Sequence, residues 1–436
     1  MTPRPGESKP SNRPGNAHAS MLSESAKLTA AHRRILLLAW GGWLFDFYDL
    51  ILYSFLLTAI SRDLGLSREQ HSLILGFSLG MTALGGVICG ILADRYGRRP
   101  VLQATILTYS LGTLMCGFST GLPALLFWRA VTGLGVGGEW GSGHALIAET
   151  FPPARRGHYG ALMQSGAPLG VGLAALMGSL FAPAFGWRAT FIVSGLPALL
   201  MAFIRRGLPE SDLWEGERRR GEQAAGGRSL ARLFDKGIRG TALRALVLAI
   251  FNMSAYWFTY VWFPGYLQQE RGMTVVTSGL WVLVIVAGEL VGYATFGVVS
   301  DRIGRRPAFT LYSLFMAGGL ALITLCWDRM AASTPLLLSA MAVLGVGTGT
   351  WSNFGPFFSE LFPTSIRNAA MGAALNLARG VQFFTPLIIT RVAQAGYGLS
   401  GGISLACLFS LLAGAWIWTL PETLGRDLRA SAPAGV

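Results

Sequence analysis

One segment of eleven residues occurs twice in this chain, as GILADRYGRRP at residues 90–100 and as GVVSDRIGRRP at residues 297–307. The second copy follows the first after 207 residues, which is almost half of the 436-residue chain. Two shorter segments recur in the same order: ETFP at 149–152 returns as ELFP at 360–363, and LPE at 208–210 returns at 420–422. Because three segments recur in order, the chain consists of two copies of one structural unit.

Apolar stretches flank both copies of the segment, each about 20 residues long, which is the length that a helix needs to cross a bilayer. Only 13% of the residues are charged and 52% are apolar, whereas a soluble domain has about 25% charged residues. The sequence therefore predicts an all-α membrane protein with twelve transmembrane helices in two pseudo-symmetric six-helix bundles. The predicted spans are residues 35–60, 71–93, 101–120, 123–148, 158–183, 188–204, 243–267, 275–299, 308–327, 333–360, 368–392 and 401–420.

The net charge of +13 is distributed unevenly between the two sides of these spans. Of the 35 Lys and Arg residues, 27 lie in or beside the N-terminus, the C-terminus or the loops that follow even-numbered spans. By the positive-inside rule, both termini are cytoplasmic, in a multi-pass protein of the plasma membrane, the inner membrane in a bacterium. The basic charge therefore orients the chain, and we assign it no role in binding nucleic acid.

The composition along the chain predicts five regions. Residues 1–32 are rich in Pro, Ser and Gly, and they have no signal-peptide core, so we expect a disordered cytoplasmic tail. The polar run at 208–241 is predicted to be a cytoplasmic linker between an N-terminal bundle at 33–207 and a C-terminal bundle at 242–421. Residues 422–436 are a second tail.

Catalysis and metal binding are not expected. The four cysteines lie inside apolar stretches without paired spacing, so they are interpreted as packing residues rather than as disulfides or metal ligands. The chain has no Ser/His/Asp set, phosphate-binding loop or metal-ligand cluster. We therefore predict a protein that is not an enzyme and that needs neither a cofactor nor a metal.

With its duplicated G-x-x-x-D-R-x-G-R-R segment, the chain resembles the major facilitator superfamily over about residues 33–429. The resemblance implies two bundles that rock around a central cavity and open alternately to each side. It also implies a cytoplasmic gate, in which the arginines of the segment bridge acidic residues; the alternative is that these arginines only fix topology. The predicted gate residues are Gly90, Asp94, Arg95, Gly97, Arg98, Arg99, Glu149, Glu210, Gly297, Asp301, Arg302, Gly304, Arg305, Arg306 and Glu360.

Ionisable residues inside spans are costly and need a partner or a function. Asp46 and Asp49 are three residues apart, so we expect them on one face of span 1. A cation such as Arg129 in span 4 holds a nearby carboxylate ionised and releases it when it takes a proton. We therefore predict proton coupling by Asp46, Asp49 and Arg129, with Glu139 sharing the proton or only bonding a neighbour. The alternative is a static buried ion pair.

Arg379 is predicted to lie near the middle of span 11, and the first half has no arginine at the equivalent position. Its guanidinium suits a substrate carboxylate, because the two groups form paired hydrogen bonds. The alternative is a buried pair with Glu289. Further residues that are predicted to bind substrate are Asn376, Gln382, Glu289, Tyr256, Trp257, Asn252 and Asn353, although such aromatics more often serve packing.

Residues 46–49, DFYD, resemble a D-G-[FY]-D signature of aromatic-acid:proton symporters, with Phe47 in place of the glycine. Residues 45–47 and 138–142 are more similar to sialate and lactate:proton symporters. These resemblances imply uptake of a small organic anion together with protons, by a monomer in the lipid bilayer. The alternatives are a proton-coupled sugar or polyol porter, a drug or metabolite exporter, and a transporter-like solute receptor.

Overall fold

The computed structural model describes residues 29–151, 159, 162–205, 232–362 and 367–424. In the N-terminal half, helix α1 is Ala30–Leu64, α2 is Arg68–Tyr96, α3 is Arg98–Cys116 and α4 is Leu122–Thr150. Helix α5 is Gly166–Leu176 and continues through a π-helical turn at Met177–Phe181. The following segment, Ala182–Arg205, is broken at Gly186, and α6 is the part at 187–205.

The C-terminal half repeats this arrangement. Helix α7 is Arg239–Tyr260, followed by the short helix Phe263–Gln269, α8 is Val275–Ile303 and α9 is Arg305–Leu325. Helix α10 is Thr334–Gly347, and a 3-10 turn joins it to Trp351–Leu361. Helix α11 is Arg367–Val381 and continues as Phe384–Val392 and the π-helical turn Ala393–Tyr397, before α12 at Gly398–Trp416.

Glycines with positive φ separate consecutive helices at equivalent points of the two halves. Gly186 (φ 83°) and Gly396 (φ 95°) separate α5 from α6 and α11 from α12. Gly97 (φ 106°) and Gly304 (φ 101°) lie in the duplicated segment, between α2 and α3 and between α8 and α9. Side chains other than hydrogen rarely tolerate these values. The duplicated segment is therefore a sharp corner between two helices.

Eight helical stretches among the described residues are long and apolar enough to cross a membrane. Two of them, Leu162–Leu196 and Ala370–Thr419, each contain two consecutive spans, because they include the bends at Gly186 and Gly396. Adding α3 and α4, the described residues form twelve successive spans, as predicted. Large apolar side chains remain exposed at equivalent positions, such as Leu107 at 46% and Leu314 at 51%, which suits contact with lipid.

Glycines allow very close helix packing within each half. A Cβ atom added to Gly85 would lie 2.1 Å from the backbone oxygen of Leu134, which brings α2 against α4. A Cβ atom added to the equivalent Gly292 would lie 2.3 Å from the backbone oxygen of Val346. At this point α8 lies directly against α10. Small residues let helix backbones approach in this way in membranes. Each half therefore depends on a glycine contact at the same place.

Replacing Gly85 by alanine is expected to destabilise the protein, because the added methyl group must push α2 away from the backbone of α4. Overpacking of this kind typically costs about 1–3 kcal/mol. The measurement is the thermal unfolding temperature in detergent. Gly318→Ala is the control, since no described atom lies within 4 Å of its added Cβ atom. Equal unfolding temperatures for the two variants would contradict the close packing.

The two halves meet along a seam that includes α1 and α2 from one half and α7 and α11 from the other. At the end of the molecule that carries the α1–α2 connection, direct hydrogen bonds join the halves. Thr58 donates to Gln268 over 2.9 Å, and the hydroxyls of Ser72 and Thr390 are 2.6 Å apart. Gln394 also donates to Glu69. The structure is therefore closed at this end, opposite the duplicated segments.

Candidate substrate and proton site

A buried ion pair joins α1 and α4 in the N-terminal half. Nη1 of Arg129 lies 3.0 Å from Oδ2 of Asp49, and the two residues are 1% and 2% exposed. Thr113 on α3 donates to the other carboxylate oxygen of Asp49. Nη2 of Arg129 donates to Ser78 on α2 over 3.2 Å, and the guanidinium lies 5.5 Å from the centre of the Tyr53 ring. Four helices therefore converge on this pair.

The chemistry of this pair depends on its burial. Two charges removed from water lose several kcal/mol of hydration each, and their mutual attraction has to offset that loss. A proton on Asp49 would remove the counter-charge of Arg129 and leave a buried cation without compensation. The arrangement between α1 and α4 therefore responds strongly to one proton.

Asp46 faces the other half of the molecule. It interacts electrostatically with the guanidinium of Arg379 on α11. The guanidinium carbon of Arg379 also lies 5.9 Å from the ring centre of Trp43, one turn before Asp46 on α1. Asp46 is 0% and Arg379 is 5% exposed. The seam thus holds a buried acid and a buried base that belong to different halves.

The prediction that Asp46 and Asp49 share one face of α1 describes their environments incompletely. Along an α-helix, a step of three residues turns the direction of the side chain by about 300° around the axis and moves it by about 4.5 Å along the axis. This difference directs Asp49 toward Arg129 inside its own half and Asp46 toward Arg379 across the seam. The two carboxylates therefore have different partners.

Aromatic side chains close the seam beside Arg379. The ring of Phe47 on α1 stacks on Trp257 of α7 with centres 6.3 Å apart and an angle of 18°. Tyr256 lies edge-on to Phe47 at 6.0 Å and stacks on Tyr260 at 4.3 Å. Trp351, at the start of the second part of α10, packs edge-on against Tyr256 at 5.6 Å. Phe47 thus fills the space that the glycine of the resembled signature would leave open.

Several buried polar atoms of the C-terminal half have no hydrogen-bond partner among the residues that the structure describes. They are Nε of Arg379, Nδ2 of Asn252, Oδ1 of Asn353 and Nε1 of Trp257. The other end of the Asn252 amide is used, since its oxygen accepts from Thr350 over 2.8 Å. Buried polar groups in native proteins are nearly always satisfied, so a water or ligand is the expected partner of these atoms. The nitrogen atoms are hydrogen-bond donors, and Oδ1 of Asn353 is an acceptor.

Other predicted site residues are engaged elsewhere. Glu139 accepts from Thr105 on α3 over 3.3 Å, and ten residues, or about 15 Å of helix, separate it from Arg129. Gln382 bonds the backbone of Ala378 over 3.0 Å as well as Ser254 and Thr385 within its own half. Glu139 is thus separated from Arg129 along α4, and the amide of Gln382 is bonded within the C-terminal half.

Asn376 and Glu289 lie on α11 and α8. The amide of Asn376 lies against Gly86, where α2 and α11 are in contact. The alternative of a pair between Arg379 and Glu289 is not seen, because Oε1 of Glu289 instead accepts from Tyr260 over 2.6 Å. The structure therefore leaves Arg379 facing α1.

The predicted gate residues of the C-terminal half form a connected cluster. Arg305 at the start of α9 bonds Asp301 over 2.7 Å and Glu360 at the end of α10 over 3.2 Å. Glu422, the equivalent of Glu210, accepts from the backbone N–H groups of Arg305 and Arg306, each over 3.0 Å. Three separate elements are therefore tied together at the duplicated segment.

The equivalent cluster of the N-terminal half falls largely outside the described part of the chain. The side chains of Asp94, Arg98 and Glu149 and the whole of Glu210 are not described. Among the described residues, Gly90 and Gly297 have no atom within 4 Å of an added Cβ atom. The remaining predicted gate residues lie on the same corners. They are Arg95, Gly97, Arg99, Arg302 and Gly304.

The carboxylate of Glu422 has a pKa below its usual range. Partial burial alone would raise this pKa, but four backbone N–H groups, among them those of Arg305 and Arg306 at the start of α9, lower it. Because the ionised form is favoured in the folded state, its stabilisation is present above the pKa of an unfolded glutamate, about 4.3. This stabilisation is lost as the pH falls through the lowered pKa of Glu422 in the folded state.

Glu422→Gln is therefore expected to lower the thermal unfolding temperature at neutral pH. Glutamine keeps an acceptor but loses the charge that favours the first turn of α9. The difference from the unsubstituted protein should shrink below about pH 4.3. Unfolding followed in detergent across this range measures the effect. A difference of the same size at acidic and neutral pH would contradict the role of the charge.

Some residues of the site were not found from the sequence. Thr113 and Ser78 are single hydroxyls in apolar spans, where such residues commonly bond their own backbone. Trp43 and Trp351 are indistinguishable by spacing from packing aromatics. The one available signal was the substitution at Phe47, which marks the position that the structure places at the seam.

Comparisons with known proteins give consistent results. A family model described as Major Facilitator Superfamily matches residues 38–293, and one described as Sugar (and other) transporter matches residues 229–433. A Haemophilus influenzae protein whose name assigns it to metabolite transport is 32% identical over 394 residues, covering 89% of this chain and 95% of its own length. A sialic acid transporter of Escherichia coli K12 is 29% identical over 373 residues, covering 86% and 89%.

Solved structures agree with these similarities at the level of the fold. The crystal structure of a D-xylose-proton symporter matches with a TM-score of 0.74 and covers 91% of this chain and 100% of its own. The sequence identity is 23%, so this likeness concerns the arrangement of the helices.

Proposed function

Because the chain belongs to the major facilitator superfamily of secondary transporters, we propose that it carries a small organic anion across the membrane together with protons, by alternating access. The family resemblance and the helical fold predicted from the sequence are confirmed. The chain is thus a multi-pass integral membrane protein and not an enzyme. The proposed substrates are mono- or dicarboxylates, a sialate or an aromatic acid.

The observation that carries the proposal is the environment of Arg379. Its guanidinium is buried at the seam, lies over Trp43 and has an Nε atom with no partner among the described residues. An arginine binds a carboxylate through paired, charge-assisted hydrogen bonds, which are stronger in a dry site. The amides of Asn252 and Asn353 supply further polar contacts, and the aromatic rings beside them supply apolar surface.

Proton coupling follows from the position of Asp46. A substrate carboxylate that binds Arg379 competes with Asp46 for the same cation. The bound anion neutralises the charge of Arg379 that otherwise favours the ionised form of Asp46, so a proton on Asp46 becomes less costly. The binding of the anion and the binding of a proton therefore favour each other in this proposal.

The pair between Asp49 and Arg129 supports the same coupling from inside the N-terminal half. Asp49 lies one turn after Asp46 on α1, so a change at either carboxylate moves the same helix. Protonation of Asp49 releases Arg129, which loosens α1 from α4 and lets the halves rearrange. In this proposal Glu139 takes no direct part, because it bonds Thr105.

The cluster around Arg305 is proposed to act as a gate at the cytoplasmic side. Its ion pairs connect α8, α9 and α10 in the described structure, which is closed at the opposite end. The proposal includes both termini in the cytoplasm, a location in the bacterial inner membrane and function as a monomer.

A sugar porter is the second candidate, because the C-terminal half also matches the family model of sugar and other transporters. A site for neutral polyols has no need of a buried arginine aimed at the seam. The experiment that follows distinguishes the anion symporter from the sugar porter. It also distinguishes both from an exporter and from a receptor that binds without transport.

The test is uptake into proteoliposomes that contain the purified protein, with an imposed inward proton gradient. The radiolabelled panel is sialic acid, lactate, benzoate and D-xylose. We expect at least one acid to accumulate with the gradient and D-xylose not to accumulate. Accumulation of D-xylose alone would favour the sugar porter. Efflux of acid in the direction opposite to the proton gradient would favour an exporter, and binding without flux would favour a receptor.

A further inference from the structure

Glu289 on α8 is a second deeply buried carboxyl group, in the half of the molecule that lacks an equivalent of the Asp49–Arg129 pair. It is 1% exposed. Tyr260 on α7 donates to its Oε1 atom over 2.6 Å, and Oε2 has no hydrogen-bond partner among the described residues. This carboxyl group thus has neutral hydroxyl neighbours, Tyr260 and Thr348, and no charged partner among the described residues.

The groups that surround Glu289 are neutral. Helix α7 contributes Tyr256 and Tyr260, α10 contributes Thr348, and α8 itself contributes Tyr293. Helix α9 meets α8 further along that helix, where Tyr312 bonds Thr295 over 2.7 Å. Helix α5 approaches α8 through the apolar contact of Gly172 with Val286. No Lys or Arg among the described residues pairs with Glu289, whereas Asp49 has Arg129 at 3.0 Å.

A carboxylate without a counter-ion is far more costly in a dry interior than a neutral carboxylic acid. Glu289 is therefore expected to carry a proton in the closed arrangement that the structure describes. A permanently neutral group has no need of an ionisable residue, and ionisable residues within membrane spans usually mark ion or substrate pathways. Its proton is therefore expected to be exchanged at another stage of the cycle.

The path from Glu289 to the seam is short. Tyr260, which bonds the carboxyl group, stacks on Tyr256 with ring centres 4.3 Å apart. Tyr256 contacts Phe47 of the other half at 6.0 Å. When the halves separate, the contact with Phe47 is lost, and water gains a route along these rings to Oε2. Opening of the seam and hydration of Glu289 are thus linked.

We propose that Glu289 is a second proton-binding site of the transport cycle, located in the C-terminal half and independent of Arg129. It gains a proton on Oε2 from hydronium, which leaves water, when the seam opens to one side. It returns that proton to water when the seam opens to the other side. This inference rests on the proposed proton coupling, because a proton site is exchanged in each cycle only if protons are transported.

The direct test is infrared titration of the purified protein, in which the C=O stretch of a protonated carboxyl group is separate from that of a carboxylate. We expect one component of this band to titrate between mildly acidic and mildly alkaline pH and to be lost in Glu289→Gln. Glu270→Gln is the matched control, since Glu270 bonds the backbone of Leu399 and Ser400 at the end of the molecule. A band that is unchanged in Glu289→Gln, or that never titrates, would overturn the proposal.

Flux measurements separate this inference from the proposed function. In proteoliposomes, Glu289→Gln is expected to transport acid with fewer protons per acid than the unsubstituted protein. If the ratio of protons to acid is the same in both proteins, the role of Glu289 is overturned but the proposed function is not. Absence of proton flux with acid in the unsubstituted protein would instead overturn the proposed function, whatever the infrared result.

Discussion

Asp49→Asn is expected to abolish accumulation of acid driven by a proton gradient in proteoliposomes, so that the internal concentration only equals the external one. The asparagine oxygen can still accept from Arg129 and its NH2 group can donate to the Thr113 hydroxyl, but the side chain cannot carry the proton or balance the charge of Arg129. Downhill exchange of labelled for unlabelled acid should continue, because Arg379 and the aromatic rings are unchanged. The readout is the ratio of gradient-driven uptake to exchange.

Loss of the counter-charge carries a folding risk, because breaking a buried ion pair typically costs about 3–5 kcal/mol. The double variant Asp49→Asn with Arg129→Gln removes both charges and should regain stability without regaining accumulation. Asp63→Asn is the matched control on the same helix, since Asp63 pairs with Arg188 at the exposed end of α1. Gradient-driven accumulation by a folded Asp49→Asn variant would show that Asp49 does not take part in coupling.

Arg379→Gln is expected to remove most of the affinity for acids. Hydrogen bonds to charged groups contribute about 1.5–3 kcal/mol, which corresponds to a loss of roughly 10- to 150-fold in affinity. Arg379→Lys should retain part of the binding, because it keeps the charge but loses the paired geometry. Binding of each acid to purified protein by calorimetry measures both effects.

Arg391→Gln is the control for this series, because Arg391 lies on the same helical stretch but is exposed. Its affinity for acids should match that of the unsubstituted protein. If Arg379→Gln binds acids normally, the arginine is a structural partner of Asp46 and the anchor lies elsewhere. Loss of binding to acids together with intact folding would support the assignment.

The fold was largely predictable because its signals are local. Repeated segments, apolar stretches of membrane-spanning length and glycines at helix ends depend on neighbouring residues, so they can be found in a single sequence. The corners at Gly97 and Gly304 illustrate this, since the same spacing of glycine and arginine in both copies indicates a turn and their φ values are 106° and 101°.

The site was predictable only in part, because its contacts join distant helices. The presence of charges at Asp49, Arg129 and Arg379 could be found from the cost of burying them. Their pairing could not, since it depends on the rotation of each helix about its axis. Glu289 illustrates the limit: the sequence offered Arg379 as its partner, whereas the structure provides Tyr260.

The most direct test of the account counts protons taken up when an acid binds. Calorimetric titration of one bound acid in buffers of different ionisation enthalpy gives this number at constant pH. We predict uptake of about one proton per bound acid, and loss of that uptake in Asp46→Asn, because the acid displaces Asp46 from Arg379. Binding of the acid with no net proton uptake, or with unchanged uptake in Asp46→Asn, would contradict it.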